Sequence, residues 1–324
     1  MQIALDILMI VGGIALLAWS GDALVDFSAA IAEKARLSPA VIGLTIVAAG
    51  TSMPEAFVSA FATATGHPSI AVGNVVGSNI FNIGLVLGTC ALVAPIPVSR
   101  NTFRLDFPFV VMSTAAMILF SRDGEIDRGE AAFFLVALVS FWVYSVTLAR
   151  RQATALEARQ LEELVPEEAE TLKQRPAWWL AGMLLLTFVG LSVGARILVM
   201  GAADLALLMG FTERLVGLTV VAAGTSAPEL VASLMAARKR QHEMAVANIM
   251  GSNLFNLLLI LGVSAQIHPL EVEPKIIHLD NWVMLAFTLA LAPMLYRGFK
   301  LARSEGAILL AGHLSYMAYL IIGR

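Results

Sequence analysis

Long apolar runs, separated by short polar stretches, make up most of this chain. Runs of this length are typical of membrane-spanning helices, because about 20 mostly apolar residues are needed to cross the hydrocarbon core of a bilayer. The pattern predicts an all-α polytopic membrane protein with ten transmembrane helices. The ten runs lie at roughly 3–24, 38–64, 69–94, 105–120, 128–149, 178–208, 213–237, 244–266, 279–296 and 304–322.

A stretch of 46 residues occurs twice. Residues 43–88 align without a gap with residues 217–262, 174 positions later (217 − 43), and 24 positions are identical. The two copies are five predicted helices apart. Because five is odd, equivalent segments cross the membrane in opposite directions, and such inverted repeats are typical of secondary transporters. The expected organisation is a five-helix repeat at 1–149, a linker at 150–177 and a second five-helix repeat at 178–324.

Composition agrees with this class and excludes others. Apolar residues make up 58% of the chain and charged residues only 14%, whereas soluble domains carry about 25% charged residues. The net charge of −3 gives no reason to expect a nucleic-acid partner.

The basic residues are distributed unequally between the two sides of the membrane. Alternation through ten helices places fifteen of the 21 Lys and Arg residues on the side of the 150–177 linker and five on the other side, with Arg196 inside a span. Basic loops stay on the cytoplasmic side. The linker is therefore predicted to be cytoplasmic, and both chain termini are predicted to lie outside.

The first repeated motif places an acidic residue inside an apolar helix. It reads GTSMPE at 50–55 and GTSAPE at 224–229. Ionisable residues are expensive in the bilayer core and mark ion or substrate sites, so Glu55 and Glu229 are candidate ligands. The proline before each glutamate lacks an N–H and interrupts the helix. Carbonyls freed in this way can bind a cation alongside the Thr and Ser hydroxyls.

The second repeated motif adds amides and hydroxyls. It reads GSNIFN at 77–82 and GSNLFN at 251–256. Every ligand that the two motifs offer is an oxygen atom, which suits Ca²⁺, Na⁺ or Mg²⁺ rather than zinc or copper. Mg²⁺ fits less well because it gives up its waters reluctantly. The serine and the last asparagine of each copy are four residues apart and share a helix face: Ser78 with Asn82, and Ser252 with Asn256.

With these motifs the chain resembles the cation/calcium exchanger superfamily, and within it the prokaryotic sodium/calcium exchanger branch. The resemblance implies a ten-helix exchanger of the prokaryotic inner membrane that works by alternating access, with the first and sixth helices sliding across the core. It implies Ca²⁺ ligation by Glu55 and Glu229 and by the carbonyls of Thr51 and Thr225. Two amides would belong to the same four-helix centre and four serines would join the sodium sites: Asn82 and Asn256, with Ser52, Ser226, Ser78 and Ser252.

One position departs from the family pattern. Some members carry Asp where this chain has Asn256, which leaves two carboxylates in the site instead of three. The proton-coupled branch tends to place an acidic residue in the second motif, in a GN-x-x-E pattern, and neither copy has one here. The resemblance therefore favours sodium as the counter-ion and leaves a potassium co-ion open.

These observations favour a secondary active antiporter that exchanges Na⁺ for Ca²⁺ and normally extrudes Ca²⁺. The alternative is an antiporter that exchanges H⁺ for Ca²⁺ or another divalent cation. A cation channel is a third hypothesis and would need no counter-gradient. An enzyme is not expected, because no Ser–His pair, paired Asp or nucleotide motif accompanies the glutamates. We expect no cofactor and no obligate protein partner, with Ca²⁺ and Na⁺ as substrates and the lipid bilayer as surroundings.

Two further sets of polar residues lie within predicted helices. Ser59 and Ser233, one turn beyond each glutamate, serve either helix packing or an ion path. Asp22 and Asp26 in the first helix have no acidic counterparts in the second repeat, since Asp22 aligns with Arg196. An interfacial or structural role is expected for both, and an Asp22–Arg196 pair is one hypothesis.

Overall fold

The protein is described from a computed structural model. The structure describes residues 2–35, 37–152, 172, 174–210, 222–296 and 298–322.

The first repeat contains eight α-helices joined by short π-helical or 3₁₀ segments. The α-helices are α1 Gln2–Ala35, α2 Pro39–Ile42, α3 Ala48–Thr51, α4 Met53–Ala64, α5 Pro68–Phe81, α6 Gly88–Val93, α7 Phe107–Phe120 and α8 Arg128–Gln152. The π-helical segments are Gly43–Val47, Asn82–Leu87 and Thr102–Asp106, and a 3₁₀ turn spans Ser121–Asp123.

The second repeat returns to the same order of elements. Its α-helices are α9 Ala177–Leu208, α10 Ala222–Thr225, α11 Ala227–Arg238, α12 His242–Leu254, α13 Leu261–Ile267, α14 Asn281–Tyr296 and α15 Arg303–Ile322. Its π-helical segments are Phe255–Ile260 and Ile276–Asp280.

Four two-residue strands tie the repeats together. They are β1 Ile96–Pro97, β2 Glu125–Ile126, β3 Leu270–Glu271 and β4 Lys300–Leu301. β1 pairs antiparallel with β4, and β2 pairs antiparallel with β3. Since β3 begins 174 positions after β1 (270 − 96), each pair joins one repeat to the other in a reciprocal way. Reciprocal pairing is what an approximate two-fold axis between the repeats produces.

The helices fit the predicted all-α polytopic class. Eight described helices are long and apolar enough to cross a membrane, and α2–α3 with α4 forms a further span bent by 45°. The first residues of the span predicted at 213–237 fall within residues 211–221, which lie outside the described part of the chain. The count of ten helices therefore stays a prediction. The spans built on α5 and α12 are more buried than the other candidate spans, which puts both copies of the second motif at the centre of the molecule.

The two long helices α1 and α9 pack closely against each other. A Cβ atom added to Gly13 would lie 2.7 Å from the backbone nitrogen of Leu198, and one added to Gly201 would lie 2.7 Å from the carbonyl oxygen of Asp6. Small residues allow helix backbones in a membrane to approach this closely. The family resemblance implies that these two helices, the first and the sixth of the predicted ten, slide across the core.

Helix α1 covers α11 of the second repeat, but the equivalent face of α4 in the first repeat is exposed. α1 packs on α11, where a Cβ atom at Gly21 would lie 2.6 Å from Val231. Phe57 and Phe61 of α4 occupy the positions equivalent to Val231 and Met235 (231 − 57 = 174), yet they are 69% and 72% exposed. The second repeat is therefore covered by α1 at this level, whereas the equivalent surface of α4 in the first repeat is not covered by described residues.

Candidate cation site

Each helix that carries a candidate glutamate is broken just before it. Ser52, with φ −85° and ψ 6°, separates α3 from α4, and Ser226, with φ −94° and ψ 10°, separates α10 from α11. The predicted interruptions are present, but they fall on the serines. Pro54 and Pro228 stand in the first turn of the helix that follows, where a missing N–H leaves no helical bond unmade.

The two glutamates are buried at helix N-termini. Glu55 and Glu229 lie in the first turns of α4 and α11, and each is 1% exposed. The N-terminal end of a helix carries a partial positive charge that favours a nearby anion. The break at each serine therefore places a carboxylate inside the protein with part of its charge compensated by the backbone.

Serine hydroxyls join each glutamate to the opposite repeat. Ser52 donates a hydrogen bond to Glu229 Oε1 at 2.8 Å, and Ser226 donates one to Glu55 Oε1 at 2.9 Å. The two bonds are equivalent under the repeat, since 226 − 52 and 229 − 55 both equal 174. The first motifs of both copies thus meet at the repeat interface, as the inverted repeat predicts.

The amides of the second motif form a parallel arrangement. Asn82 and Asn256 are each 1% exposed and lie at or near the start of π-helical segments. Asn82 Nδ2 donates to Asn253 Oδ1 at 3.1 Å, and Asn256 Nδ2 donates to Asn79 Oδ1 at 3.0 Å. Both amides are therefore held across the repeat interface by their nitrogen atoms.

Several buried oxygen atoms of the predicted ligands have no hydrogen-bond partner among the described residues. They are Glu55 Oε2, Glu229 Oε2, Asn82 Oδ1, Asn256 Oδ1 and Ser252 Oγ. A buried polar atom without a partner costs about 1–3 kcal/mol. The amide oxygens, and the carboxylate oxygens when ionised, can only accept, so a bound cation is a partner that suits them. The residues present fit a hard cation bound by oxygen atoms.

The remaining predicted ligands lie around this centre. Thr51 is buried, and its hydroxyl donates to Ala48 O at 3.3 Å and to Asn248 Oδ1 at 3.4 Å. Ser78 is buried and its hydroxyl lies 3.4 Å from that of Ser226, which links the second motif to the Glu55 group. Thr225 is half-buried at the end of α10. Their roles as ligands stay a prediction.

Four asparagines of the site were not among the predicted ligands. Asn74 donates to Ser59 at 2.9 Å, and Asn248 donates to Ser233 at 2.9 Å. These bonds favour the packing role for Ser59 and Ser233 over the ion path. The other two are Asn79 and Asn253. All four stand at identical positions of the repeat, a signal that was available in the sequence.

Asp22 and Asp26 pair with Lys239, which follows α11. Lys239 Nζ lies 2.9 Å from Asp22 Oδ1 and 2.8 Å from Asp26 Oδ1. Asp22 therefore pairs with Lys239 in place of the hypothesised Arg196. Partial burial lowers the pKa of Lys239, but its hydrogen bonds to Asp26 and Asp22 outweigh this and raise the pKa above its ordinary value. Lys239 stays charged at neutral pH and ties α1 to the end of α11.

The chain matches known proteins along nearly its whole length. The family model described as "Sodium/calcium exchanger protein" matches residues 5–147 and 179–322. "Putative antiporter CaxA" from Alkalimonas amylolytica is 41% identical over 94% of this chain and 95% of its own length. "Sodium/calcium exchanger MaX1" from Methanosarcina acetivorans is 29% identical over 99% of both chains.

A solved structure has the same fold. The sodium-calcium exchanger NCX_Mj, soaked with zero Na⁺ and Ca²⁺, superposes with a TM-score of 0.82 and 28% identity, over 98% of this chain and 99% of its own. The match agrees with the predicted polytopic transporter fold, and these relatives are named as a putative antiporter and as sodium/calcium exchangers. Together with the family model, it shows that the chain belongs to the sodium/calcium exchanger protein family, a family of multi-pass membrane transporters.

Proposed function

We propose that this protein is a secondary active antiporter that exchanges Na⁺ for Ca²⁺ by alternating access and extrudes Ca²⁺ across a prokaryotic inner membrane. The observation that carries the proposal is the buried pair Glu55 and Glu229. Each is bound by a serine of the opposite repeat and keeps a second oxygen without a hydrogen-bond partner. Two carboxylates neutralise one divalent ion. The relatives named as sodium/calcium exchangers support the choice of ions.

Coupling follows from competition for the same oxygen atoms. In this proposal Ca²⁺ uses both carboxylates with the carbonyls of Thr51 and Thr225 and the amides of Asn82 and Asn256. Na⁺ uses the same glutamates and threonines with the motif serines, so the two ions exclude each other. A ligand shifts an equilibrium between two conformations only by binding them unequally. Exchange therefore requires that only a loaded site crosses between the two sides.

The proposed orientation places residues 150–177 in the cytoplasm and both termini outside. It rests on the excess of basic residues on the linker side. Lys239 then lies toward the cytoplasm and His67, after α4, toward the outside. In this orientation the conformation is closed at its cytoplasmic side, where α1 covers α11 at Gly21.

A gradient assay tests the proposed ion coupling. The protein is reconstituted in liposomes, and ⁴⁵Ca²⁺ uptake is measured with an imposed Na⁺ gradient at fixed pH, and then with a pH gradient in the absence of Na⁺. We expect uptake with the Na⁺ gradient and none above background with the pH gradient. Uptake driven by the pH gradient alone would favour H⁺/Ca²⁺ exchange, and rapid Ca²⁺ flux without any counter-gradient would indicate a channel.

The Lys239 contact allows a separate prediction about conformation. Lys239→Met removes the ion pairs with Asp22 and Asp26 and is expected to increase the fraction of molecules in which α1 has left α11. The reporter is Val231→Cys in a Cys90→Ala background, because Val231 is covered by α1 at Gly21. We expect the rate of alkylation by a membrane-impermeant maleimide from the Lys239 side to rise on the order of threefold.

Two control variants separate the ion pairs from local packing. Lys239→Arg keeps the positive charge and is expected to keep the slow alkylation rate. Arg238→Met removes a neighbouring exposed charge and is expected to have little effect. Equal alkylation rates for Lys239→Met and the parent protein would show that the ion pairs do not hold α1 in place.

A further inference from the structure

The third residue of each GSN motif lies beside the predicted ligands. Asn79 and Asn253 are each 1% exposed. Asn79 Oδ1 accepts from Asn256 Nδ2 at 3.0 Å, and Asn253 Oδ1 accepts from Asn82 Nδ2 at 3.1 Å. The two bonds are equivalent under the repeat, since 253 − 79 and 256 − 82 both equal 174.

The surroundings of Asn79 determine which way its amide points. Asn79 Nδ2 lies 3.5 Å from the backbone oxygen of Asn253 and 3.7 Å from Met284 Sδ. A carbonyl oxygen and a thioether sulfur can only accept hydrogen bonds, so the nitrogen of Asn79 must face them. Its oxygen then faces Asn256, which must present its own nitrogen in return. The oxygen of Asn256 is left pointing away from Asn79.

We infer that Asn79 and Asn253 are positioning residues that hold the amides of Asn256 and Asn82 with their oxygen atoms toward the cation. The inference rests on the proposed cation site. An amide oxygen attracts a cation and an NH₂ group repels one, although the two ends have nearly the same shape. Asn82 Oδ1 and Asn256 Oδ1 are both buried without a hydrogen-bond partner in the described structure. These are the atoms that the two orienting bonds leave available for an ion.

A double-mutant cycle tests the inference. Binding of Ca²⁺ to the purified full-length protein is measured by the rise in its thermal midpoint with Ca²⁺ concentration, a readout that does not depend on the counter-ion. Asn79→Leu is expected to weaken Ca²⁺ binding about three- to tenfold, as expected for the loss of one buried hydrogen bond. In an Asn256→Ala background, which has no amide to orient, Asn79→Leu is expected to have no further effect. Full additivity of the two changes would overturn the inference.

The repeat provides a second cycle, and the chain provides a control. Asn253→Leu measured against Asn82→Ala asks the same question if Asn79→Leu does not fold. Asn281→Leu removes another fully buried asparagine, whose Nδ2 donates to Ser121 at 2.9 Å, and is expected to leave Ca²⁺ binding unchanged. A loss of binding in Asn281→Leu equal to that in Asn79→Leu would reduce the effect to general packing and overturn the inference.

The outcome also separates this inference from the proposed exchange. Wild-type protein that binds Ca²⁺ but shows no Na⁺-driven uptake would overturn the exchange function, and the cycle would still decide the orienting role. Additive cycles in a protein that exchanges normally would overturn only the orienting role. Wild-type protein that binds neither Ca²⁺ nor Na⁺ would overturn both.

Discussion

Glu55→Gln and Glu229→Gln are each expected to abolish Na⁺-driven Ca²⁺ uptake in proteoliposomes, with a loss on the order of a hundredfold or more. Glutamine keeps the size of the side chain and an oxygen that can accept from Ser226 or Ser52, so the packing around the site is retained. The change removes one of two charges that face a divalent ion in a buried site, where interactions between charges are poorly screened. The measurement is initial ⁴⁵Ca²⁺ uptake with an imposed Na⁺ gradient.

A matched control is available on α12. Glu243→Gln neutralises a half-buried carboxylate in the first turn of that helix, away from the paired glutamates, and is expected to keep most of the uptake. Wild-type-like uptake in either Glu55→Gln or Glu229→Gln would remove these carboxylates from the transport site. A normal thermal midpoint in both variants would show that loss of uptake is not loss of folding.

Gly251→Val is expected to destabilise the protein by at least about 3 kcal/mol, at the upper end of the range for overpacked sites. A Cβ atom at position 251 would overlap the backbone oxygen of Leu44 and would lie 2.7 Å from Ala48 Cβ. A backbone atom cannot move aside as the end of a flexible side chain can. The α12 backbone would have to leave the helix that contains Leu44, next to the Thr51 and Asn248 contact.

The repeat supplies the control for this prediction as well. Gly77 is the equivalent glycine (251 − 174), and within the described structure no atom lies within 4 Å of a Cβ added there. Gly77→Val is therefore expected to change the stability by less than about 1 kcal/mol. The measurement is the thermal midpoint of each purified variant in detergent, together with its yield in membranes. Equal midpoints for the two variants would contradict the close approach at Gly251.

The residues at the centre of the molecule could be predicted from the sequence, because the motifs that contain them occur in both repeats. An acidic residue in an apolar membrane helix has a high free-energy cost. Its occurrence at equivalent positions, Glu55 and Glu229, indicated one shared site. The inverted order of the repeats then required the two residues to approach from opposite directions. The reciprocal bonds from Ser52 and Ser226 have the form that this symmetry predicts.

The roles within the second motif were less accessible. Asn79 and Asn82 have the same side chain and both are repeated, so neither residue type nor repetition separates a proposed ligand from the residue proposed to orient it. The distinction needs the distances from Asn79 to Asn253 and Met284, which join residues far apart in the chain. The helix breaks were predicted at Pro54 and Pro228 but occur two residues earlier, at Ser52 and Ser226. Proline is as compatible with the first turn of a new helix as with a kink, so the sequence did not fix the position of the break.

The partner of Asp22 was also beyond sequence reasoning. The alignment of the repeats pointed to Arg196, whereas the structure pairs Asp22 with Lys239, which has no charged equivalent in the first repeat. Symmetry is a good guide to what the two repeats share. It says little about contacts that only one of the two repeats makes.

That unshared contact bears on how such a chain could arise. The positions equivalent to Lys239, Asp22 and Asp26 are Thr65, Arg196 and Met200, each 174 residues away. A dimer of two identical five-helix chains could build the paired glutamates. It would, however, carry the ion pairs of Lys239 with Asp22 and Asp26 on both faces of the membrane or on neither. Joining the two copies in one gene lets each diverge separately. The symmetry can then be kept around the paired glutamates and lost where Lys239 ties α1 to the end of α11.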